Sequence, residues 1–329
     1  MMETGQIRAL SLLSGGLDSQ LAICILKDQA VDVHGIAFDS PFFCIAAAEK
    51  AAVDLNIPLH VVNFTADIVS LLSNPKHGFG SCLNPCVDCH ALMLRRAGEL
   101  MEEIGCHFLS TGEVLNERPM SQNFENLAIV AKESGYADVI VRPLSAGLLP
   151  ATRPEKEGWI DRSRLLSLAG RSRRSQFKLA EEYALKNYPS PAGGCRLTEP
   201  NYAKRLMDLR DHEGLHGVGS IMLLRFGRHF RLADKVKLIV GRNENDNVYL
   251  EGNAELYDIV LKIEEVPGPT GLMPLTSRED HVRLGAAICA RYCDAPGDSE
   301  VTVRIRSSRG MGKIKVLPAT PEQINHLRI

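Results

Sequence analysis

A short apolar run, Ala9-Leu10-Ser11-Leu12-Leu13, leads into the hexapeptide Ser14-Gly15-Gly16-Leu17-Asp18-Ser19. A second apolar stretch through Leu21, Ile23, Ile25 and Leu26 follows. The first run suits a buried strand and the second a mostly buried helix, so the hexapeptide must turn the chain sharply between them. Gly15 and Gly16 permit a tight turn and a close approach to an anion. Ser14, Ser19 and the amides of the helix start can donate hydrogen bonds to that anion. An ordinary tight turn is the bland reading of the glycines. The Lys of a Walker P-loop is missing, which sets kinase and GTPase loops aside.

Strand and helix patterns alternate from this point on. Val31 to Phe38 reads as a second strand, residues 43–55 as a helix and Leu59 to Phe64 as a third strand. The pattern predicts a Rossmann-like parallel sheet, with ligands at the carboxyl ends of its strands. Phe38 and Asp39, closing the second strand, are candidates to meet an adenine or ribose. A glycine- and proline-rich loop then delivers Ser81-Cys82-Leu83-Asn84-Pro85-Cys86-Val87-Asp88-Cys89-His90. Asn84 and Pro85 are suited to the N-cap and first position of a helix running to Ile104. Cys86 and Cys89 fall on its first turn, where backbone amides favour a thiolate. Cys44, among apolar neighbours in the earlier helix, reads as a buried bystander.

A strand over Cys106 to Ser110 leads into a polar loop from Thr111 to Gln122. Gly112 and Glu113 are placed to approach a nucleotide there, and Arg118 to meet its phosphates; a plain connecting loop accounts for the composition nearly as well. A helix over residues 123–134 and a strand over 137–141 follow. Basic residues concentrate between Ala151 and Ala180, among them Arg171, Arg173 and Arg174. Such a patch can hold RNA phosphates or ATP, or be a solvated helix face. Tyr188 to Pro200, with two prolines and Gly193-Gly194, presents Cys195 on a loop.

At 329 residues the chain can hold two domains, and 38 basic against 40 acidic side chains give no global sign of nucleic-acid binding. No leader-like pattern is present, nor an apolar run near the roughly 18 residues that cross a bilayer. The expectation is a cytoplasmic protein with no membrane partner. Nine cysteines, an odd number, do not read as a disulfide framework in a reducing compartment.

The complete hexapeptide Ser14 to Ser19 resembles the nucleotide loop of the PP-loop ATP pyrophosphatases, adenylating enzymes that include the tRNA thiolases. The resemblance implies an adenine nucleotide alpha hydrolase-type sheet. It implies that Ser14, Gly15, Gly16, Asp18 and Ser19 grip the pyrophosphate of ATP, and that Asp18 supports Mg²⁺ and adenylation. Asn84-Pro85-Cys86-Val87-Asp88-Cys89 with the later Ala192-Gly193-Gly194-Cys195 is similar to the bacterial 2-thiouridine synthases, with Cys89 and Cys195 at the active positions. His90 stands where that group has Asn. Other PP-loop thiolases hold a [4Fe–4S] cluster on three cysteines, for which Cys86, Cys89 and Cys195 are the matching trio. A persulfide route through Cys89 and Cys195, a cluster route, and structural zinc on Cys82, Cys86, Cys89 and Cys195 all stay open.

Residues 197–219 read as a helical linker between a catalytic domain over 1–196 and a smaller α+β domain over 220–329. In the latter, Ile221 to Phe226, Val236 to Val240, Asn247 to Leu250, Ile259 to Ile263 and Val301 to Ile305 read as short strands, with a helix near Val282 to Tyr292. Val240-Gly241-Arg242-Asn243, the Asp258 to Lys262 stretch and the Pro267-Gly268 turn look like the RNA-binding domain of the NFACT proteins. Arg225, Arg228, Arg231, Lys235, Lys237 and Arg242 form one basic cluster, and Arg304, Arg306, Arg309, Lys313 and Lys315 a second. Arg304 and Arg306 alternate along a strand and can follow a phosphate backbone.

The reading is an ATP-dependent tRNA sulfurtransferase that adenylates a base carbonyl oxygen and replaces it with sulfur. Its partners are tRNA rather than DNA, and a sulfur donor: a cysteine desulfurase, a persulfide carrier or free sulfide. Two rivals keep parts of this reading. One is an adenylating ligase or amidating enzyme with another nucleophile. The other is a non-catalytic nucleotide sensor serving an RNA-binding module.

Overall fold

The structure is a computed structural model that describes residues 6–118, 121–190, 194–254 and 259–329. Gly193, of the glycine pair before Cys195, and Asp258 lie outside the described residues. The chain divides into two compact units, Met1–Thr198 and Glu199–Ile329.

The N-terminal unit is a parallel sheet flanked by helices. Strands β1 (Arg8–Leu12), β2 (Asp32–Asp39), β3 (Leu59–Asn63), β4 (Phe108–Ser110) and β5 (Ile140–Val141) lie in the order β3-β2-β1-β4-β5. Helices α1 (Leu17–Lys27), α2 (Ala46–Asp54), α3 (Thr65–Ser73), α4 (Cys86–Glu103), α5 (Phe124–Ser134), α6 (Arg153–Lys156) and α7 (Arg174–Glu182) complete it. The chain runs outward from β1 to β3, then returns to the other side of β1 for β4 and β5. Strand order therefore reverses between β1 and β4, and the crevice at their carboxyl ends is where such sheets take ligands. The Ser14 to Ser19 turn and Thr111 to Glu113 both start from these strand ends. Helix α1 is buried along most of its length because it lies against the sheet centre. Residues 137–139, expected as strand, form a 3-10 turn instead, leaving β5 only two residues long.

The C-terminal unit is an antiparallel sheet, ordered β11-β10-β8-β9-β7-β6. Its strands are β6 (Arg228–Ala233), β7 (Val236–Val240), β8 (Ile259–Ile263), β9 (Thr270–Met273), β10 (Val301–Ser307) and β11 (Gly310–Val316). Its helices are α8 (Pro200–His212), α9 (Val218–Leu223), α10 (Glu244–Gly252), α11 (Glu279–Arg291) and α12 (Pro321–Ile324). Both sheet faces are covered. Leu238, Val240 and Leu261 join Ala286 and Cys289 of α11 in one core. Ile239, Val260 and Leu272 join Leu223 of α9 and Leu250 of α10 in the other. That two-sided burial follows from the strict alternation of side chains along a strand. Burial pushes the Cys289 thiol up to about 12, so it packs as a small apolar group.

Two stretches expected as strands are helical. Ile221 and Leu223 sit in α9, and residues 247–250 in α10. The Asn243 side chain accepts from the Asp246 amide at 2.9 Å, and this N-cap is what starts α10. Residues 200–212, read as a bridge, form α8 with Tyr202, Ala203, Leu206 and Leu209 buried.

Gly98 of α4 meets Tyr136 so closely that a Cβ would stand 2.2 Å from its ring. The half-buried ring must shift to admit a methyl group, so Gly98→Ala should cost about 1–3 kcal/mol of stability. Urea denaturation should show a lower midpoint with an unchanged slope.

Candidate nucleotide and thiol site

The loop after β1 is shaped by contacts only glycine allows. Gly15 adopts φ +77°, and a Cβ there would lie 2.3 Å from the Ala47 carbonyl. Gly16 is the N-cap of α1. Its amide donates to Ser14 Oγ at 3.3 Å, and Ser19 Oγ donates to its carbonyl at 2.8 Å. Ser14 Oγ and Ser19 Oγ lie 3.4 Å apart. Buried Gln20 ties the loop down through Nε2, which donates to the Gly15 carbonyl at 2.8 Å. From the end of β4, Gly112 approaches the first turn of α1 closely, and a Cβ would stand 2.5 Å from the Ser19 nitrogen. Ser14, Gly15, Gly16, Asp18, Ser19 and Gly112, all predicted from sequence, therefore come together. Phe38 is buried at the end of β2, edge-on to Phe64 with ring centroids 5.2 Å apart. Arg118 is exposed beside Glu117.

Arg173, read from sequence with the RNA-facing cations, reaches back to the loop. Its Nη2 lies 2.5 Å from Asp18 Oδ2 and its Nε 3.7 Å from Glu117 Oε1. Gln176 Nε2 donates to the other Glu117 oxygen at 3.1 Å. Burial raises the pKa of Glu117, and the Asp18 charge raises it further, against Arg173 and Arg118. Arg171 and Arg174 are exposed. Neither Glu117 nor the role of Arg173 shows in the sequence, because Asp18, Glu117 and Arg173 come from three distant segments.

Next to Gly112 sits a buried charge network. Glu113 accepts from Arg142 Nε at 2.9 Å and from Thr111 Oγ1 at 3.1 Å, and its Oε1 lies 3.2 Å from His90 Nδ1. Burial alone would raise its pKa, but the Arg142 charge and the His90 hydrogen bond more than offset that and hold it at about 2. His90, the departure from the thiolase motif, thus has a fixed carboxylate partner.

Cys86 opens α4, with Asn84 Nδ2 donating to its sulfur at 3.1 Å. Pro85 rather than Asn84 is the N-cap residue. Cys89 is buried, and burial pushes its thiol well up, with Cys195 and Cys86 close enough to push it further. This corrects the expectation of a helix-stabilised thiolate at Cys89, since desolvation outweighs the helix terminus. The Cys195 segment is held where the Arg196 amide donates to the Phe42 carbonyl at 2.9 Å. Cys82 Sγ donates to the Thr198 carbonyl at 3.7 Å. Cys44, expected to be buried, is exposed because α2 starts only after it. Among the described residues no group of three or more His, Cys, Asp or Glu side chains is arranged to hold a metal ion. As placed, the cysteines do not fit a cluster or a zinc site.

In the C-terminal unit the first basic cluster is largely neutralised. Lys237 is buried 3.5 Å from Asp208, and Arg231 pairs with Asp208 and Glu213. Arg242 lies on Asp246 at 2.7 Å, and the Arg228 guanidinium sits over the Tyr292 ring at 4.4 Å. The second cluster is outward-facing. Arg304 and Arg306 are exposed on β10, and Arg304 is in register with Lys262 on β8 and Lys313 on β11. Two acids lie among them: Glu264, 2.7 Å from Lys313 and 3.7 Å from Arg304, and Glu251, 2.8 Å from Lys262. Sequence reasoning reached Arg304 and Arg306 on one strand but not the register of Arg304 with Lys262, which needs the sheet order. Among the described residues no helix is long and apolar enough to cross a membrane.

Residues 4–147 match the family model described as thiamine biosynthesis protein (ThiI), and residues 227–328 that described as NFACT protein RNA binding domain. The chain joins a ThiI-like PP-loop domain to an NFACT-like RNA-binding domain. A tRNA-specific 2-thiouridylase, MnmA 2, of Thermoanaerobacter sp. (strain X514) is 33% identical over 128 residues, covering 32% of this chain and 34% of the relative. A probable tRNA sulfurtransferase of the same organism is 29% identical over 146 residues, covering 42% and 36%. The solved complex of a 4-thiouridine synthetase with RNA and bound ATP is 22% identical with a TM-score of 0.34, covering 54% of this chain and 51% of that one. The chain spans about a third of the length of the curated relatives it matches.

The buried network in the ThiI-like domain yields a stability prediction. Glu113→Ala leaves Arg142 buried without its carboxylate and should cost about 3–5 kcal/mol. The folded-state pKa of Glu113 is depressed from 4.5 to about 2. Its contribution is therefore complete above the unfolded value and fades as pH falls between them. Urea denaturation across that range should show the gap between wild type and variant closing as acid is added.

Proposed function

We propose that the chain is an ATP-dependent tRNA sulfurtransferase. The observation that carries this is the Gly112-Glu113 dipeptide. Gly112 lies against Asp18 and Ser19 of the nucleotide loop, while Glu113 holds His90, the neighbour of Cys89. An adenylation loop and a thiol pair on opposite ends of one dipeptide can serve a single base.

The loop amides and Ser14 and Ser19 hydroxyls take the phosphates of ATP. Asp18 has a buried oxygen, Oδ1, with no hydrogen-bond partner. It suits Mg²⁺, which when bound would screen the phosphate charge. The carbonyl oxygen of the base attacks that phosphorus and pyrophosphate leaves, turning the oxygen into part of an AMP ester. A persulfide on Cys195, charged by an outside donor, then attacks the base carbon through its terminal sulfur, and AMP departs with the oxygen. The Cys89 thiolate attacks the Cys195 sulfur, which breaks the persulfide bond, leaves sulfur on the base and forms a Cys89–Cys195 disulfide. A dithiol reductant restores the pair. Because burial keeps Cys89 protonated at rest, its attack waits on loss of that proton. Arg304, Arg306, Lys262 and Lys313 are proposed to hold the tRNA backbone.

Cys195→Ser and Cys89→Ser should cut thiolated nucleoside by at least about a thousandfold while tRNA-dependent pyrophosphate release persists, whereas Asp18→Ala should lose both. Sulfur transfer surviving in Cys195→Ser would sink the reading. Replacing Arg304 and Arg306 by Ala should lower the slope of log affinity for tRNA against log salt by about 1 per side chain. A slope identical to wild type in filter binding would remove them from the interface.

A further inference from the structure

The nucleotide loop faces an electrostatic problem that its own residues reveal. Asp18 and Glu117 bring two carboxylates to the crevice, and Arg173 supplies one guanidinium between them. Arg118 also acts on Glu117, so both carboxylates are engaged by cations where a triphosphate must settle. Asp18 Oδ1 and Arg173 Nε are both buried with no hydrogen-bond partner, although each belongs to a charged group. Gln176, 1% exposed, fixes Glu117 by holding its second oxygen at 3.1 Å. Two positioned carboxylates, one with an unfilled oxygen, are a donor set for a hard divalent cation. A guanidinium, by contrast, matches phosphate oxygens better than it matches a single-point carboxylate contact.

We propose that Glu117 is the second carboxylate of the divalent-cation site at Asp18, and that Arg173 is a displaceable counter-ion there. When the nucleotide enters with its cation, Arg173 gives up the carboxylates and binds the phosphates. The exchange replaces the guanidinium–carboxylate pairing by a dication on the carboxylates and a guanidinium on the polyphosphate. Arg173 is also the N-cap residue of α7, so nucleotide binding bears on the start of that helix. This inference rests on the loop being an ATP site, and the experiment separates the two claims.

Affinity for the non-hydrolysable analogue AMP-PNP is measured by calorimetry on the full chain, with Mg²⁺ and with EDTA. Occupancy by Mn²⁺ is followed by EPR, and melting temperature is recorded for each variant. Wild type should bind more tightly with the cation. Glu117→Gln should weaken Mn²⁺ occupancy by about tenfold or more and abolish the gain from Mg²⁺, with EDTA affinity little changed. Arg173→Met should act the other way, tightening Mn²⁺ binding without nucleotide while weakening AMP-PNP by about tenfold. This second variant keeps the test alive if Glu117→Gln does not fold. Undiminished Mn²⁺ binding in a folded Glu117→Gln, or unchanged binding of both ligands in Arg173→Met, would overturn the proposal and leave the ATP site standing. No AMP-PNP binding by wild type would overturn both.

Discussion

The N-terminal unit depends on two close approaches of backbone to backbone. Gly15 lies against Ala47 and Gly112 against Asp18 and Ser19, each at a distance no Cβ could share. These contacts draw the ends of β1 and β4 and the start of α1 into one small volume at the strand-order reversal. The start of α1 there has no side-chain cap. The polar side chains nearby are placed by that constraint, since Glu113 follows Gly112 and cannot avoid burial beside it. Arg142 and His90 make the burial tolerable by supplying charge-assisted hydrogen bonds to both carboxylate oxygens.

The same geometry separates two kinds of charge. Around Glu113 the network is closed, buried and balanced, which suits a support that carries α4 and its cysteines. Around Asp18 it is open, with polar atoms lacking partners, which suits a place where ligand charge arrives. The thiols are poised differently again: desolvation holds Cys89 in its neutral form beside Cys86 and Cys195. The Ser14 to Ser19 loop and the cysteines thus sit in neighbouring but distinct electrostatic environments.

The loop was legible in the sequence because its chemistry is contiguous: glycines, hydroxyls and a carboxylate in six residues. The parallel sheet was legible from alternating apolar runs, and Cys86, Cys89 and Cys195 from their spacing. Glu117 and the reach of Arg173 to the loop were not, since a side chain that acts across 155 residues of separation from Asp18 leaves no local pattern. Lys237 looked like a surface cation but is buried on Asp208, and Cys44 looked buried but is exposed. In the C-terminal unit β6, β9 and β11 escaped notice because charged or glycine-rich strands alternate weakly. The stretch 247–250 is helical because Asn243, three residues before Asp246, is an N-cap that overrides its short apolar alternation.

The most direct measurement incubates the full chain with ATP, Mg²⁺, unmodified tRNA and a persulfide donor, and quantifies nucleotides and digested nucleosides together. Coupled chemistry at the Asp18 loop and the Cys89–Cys195 pair predicts AMP and pyrophosphate in equal amounts, matched by a nucleoside in which sulfur replaces a carbonyl oxygen. ADP and phosphate as products, or AMP release with no sulfur entering the tRNA, would contradict it.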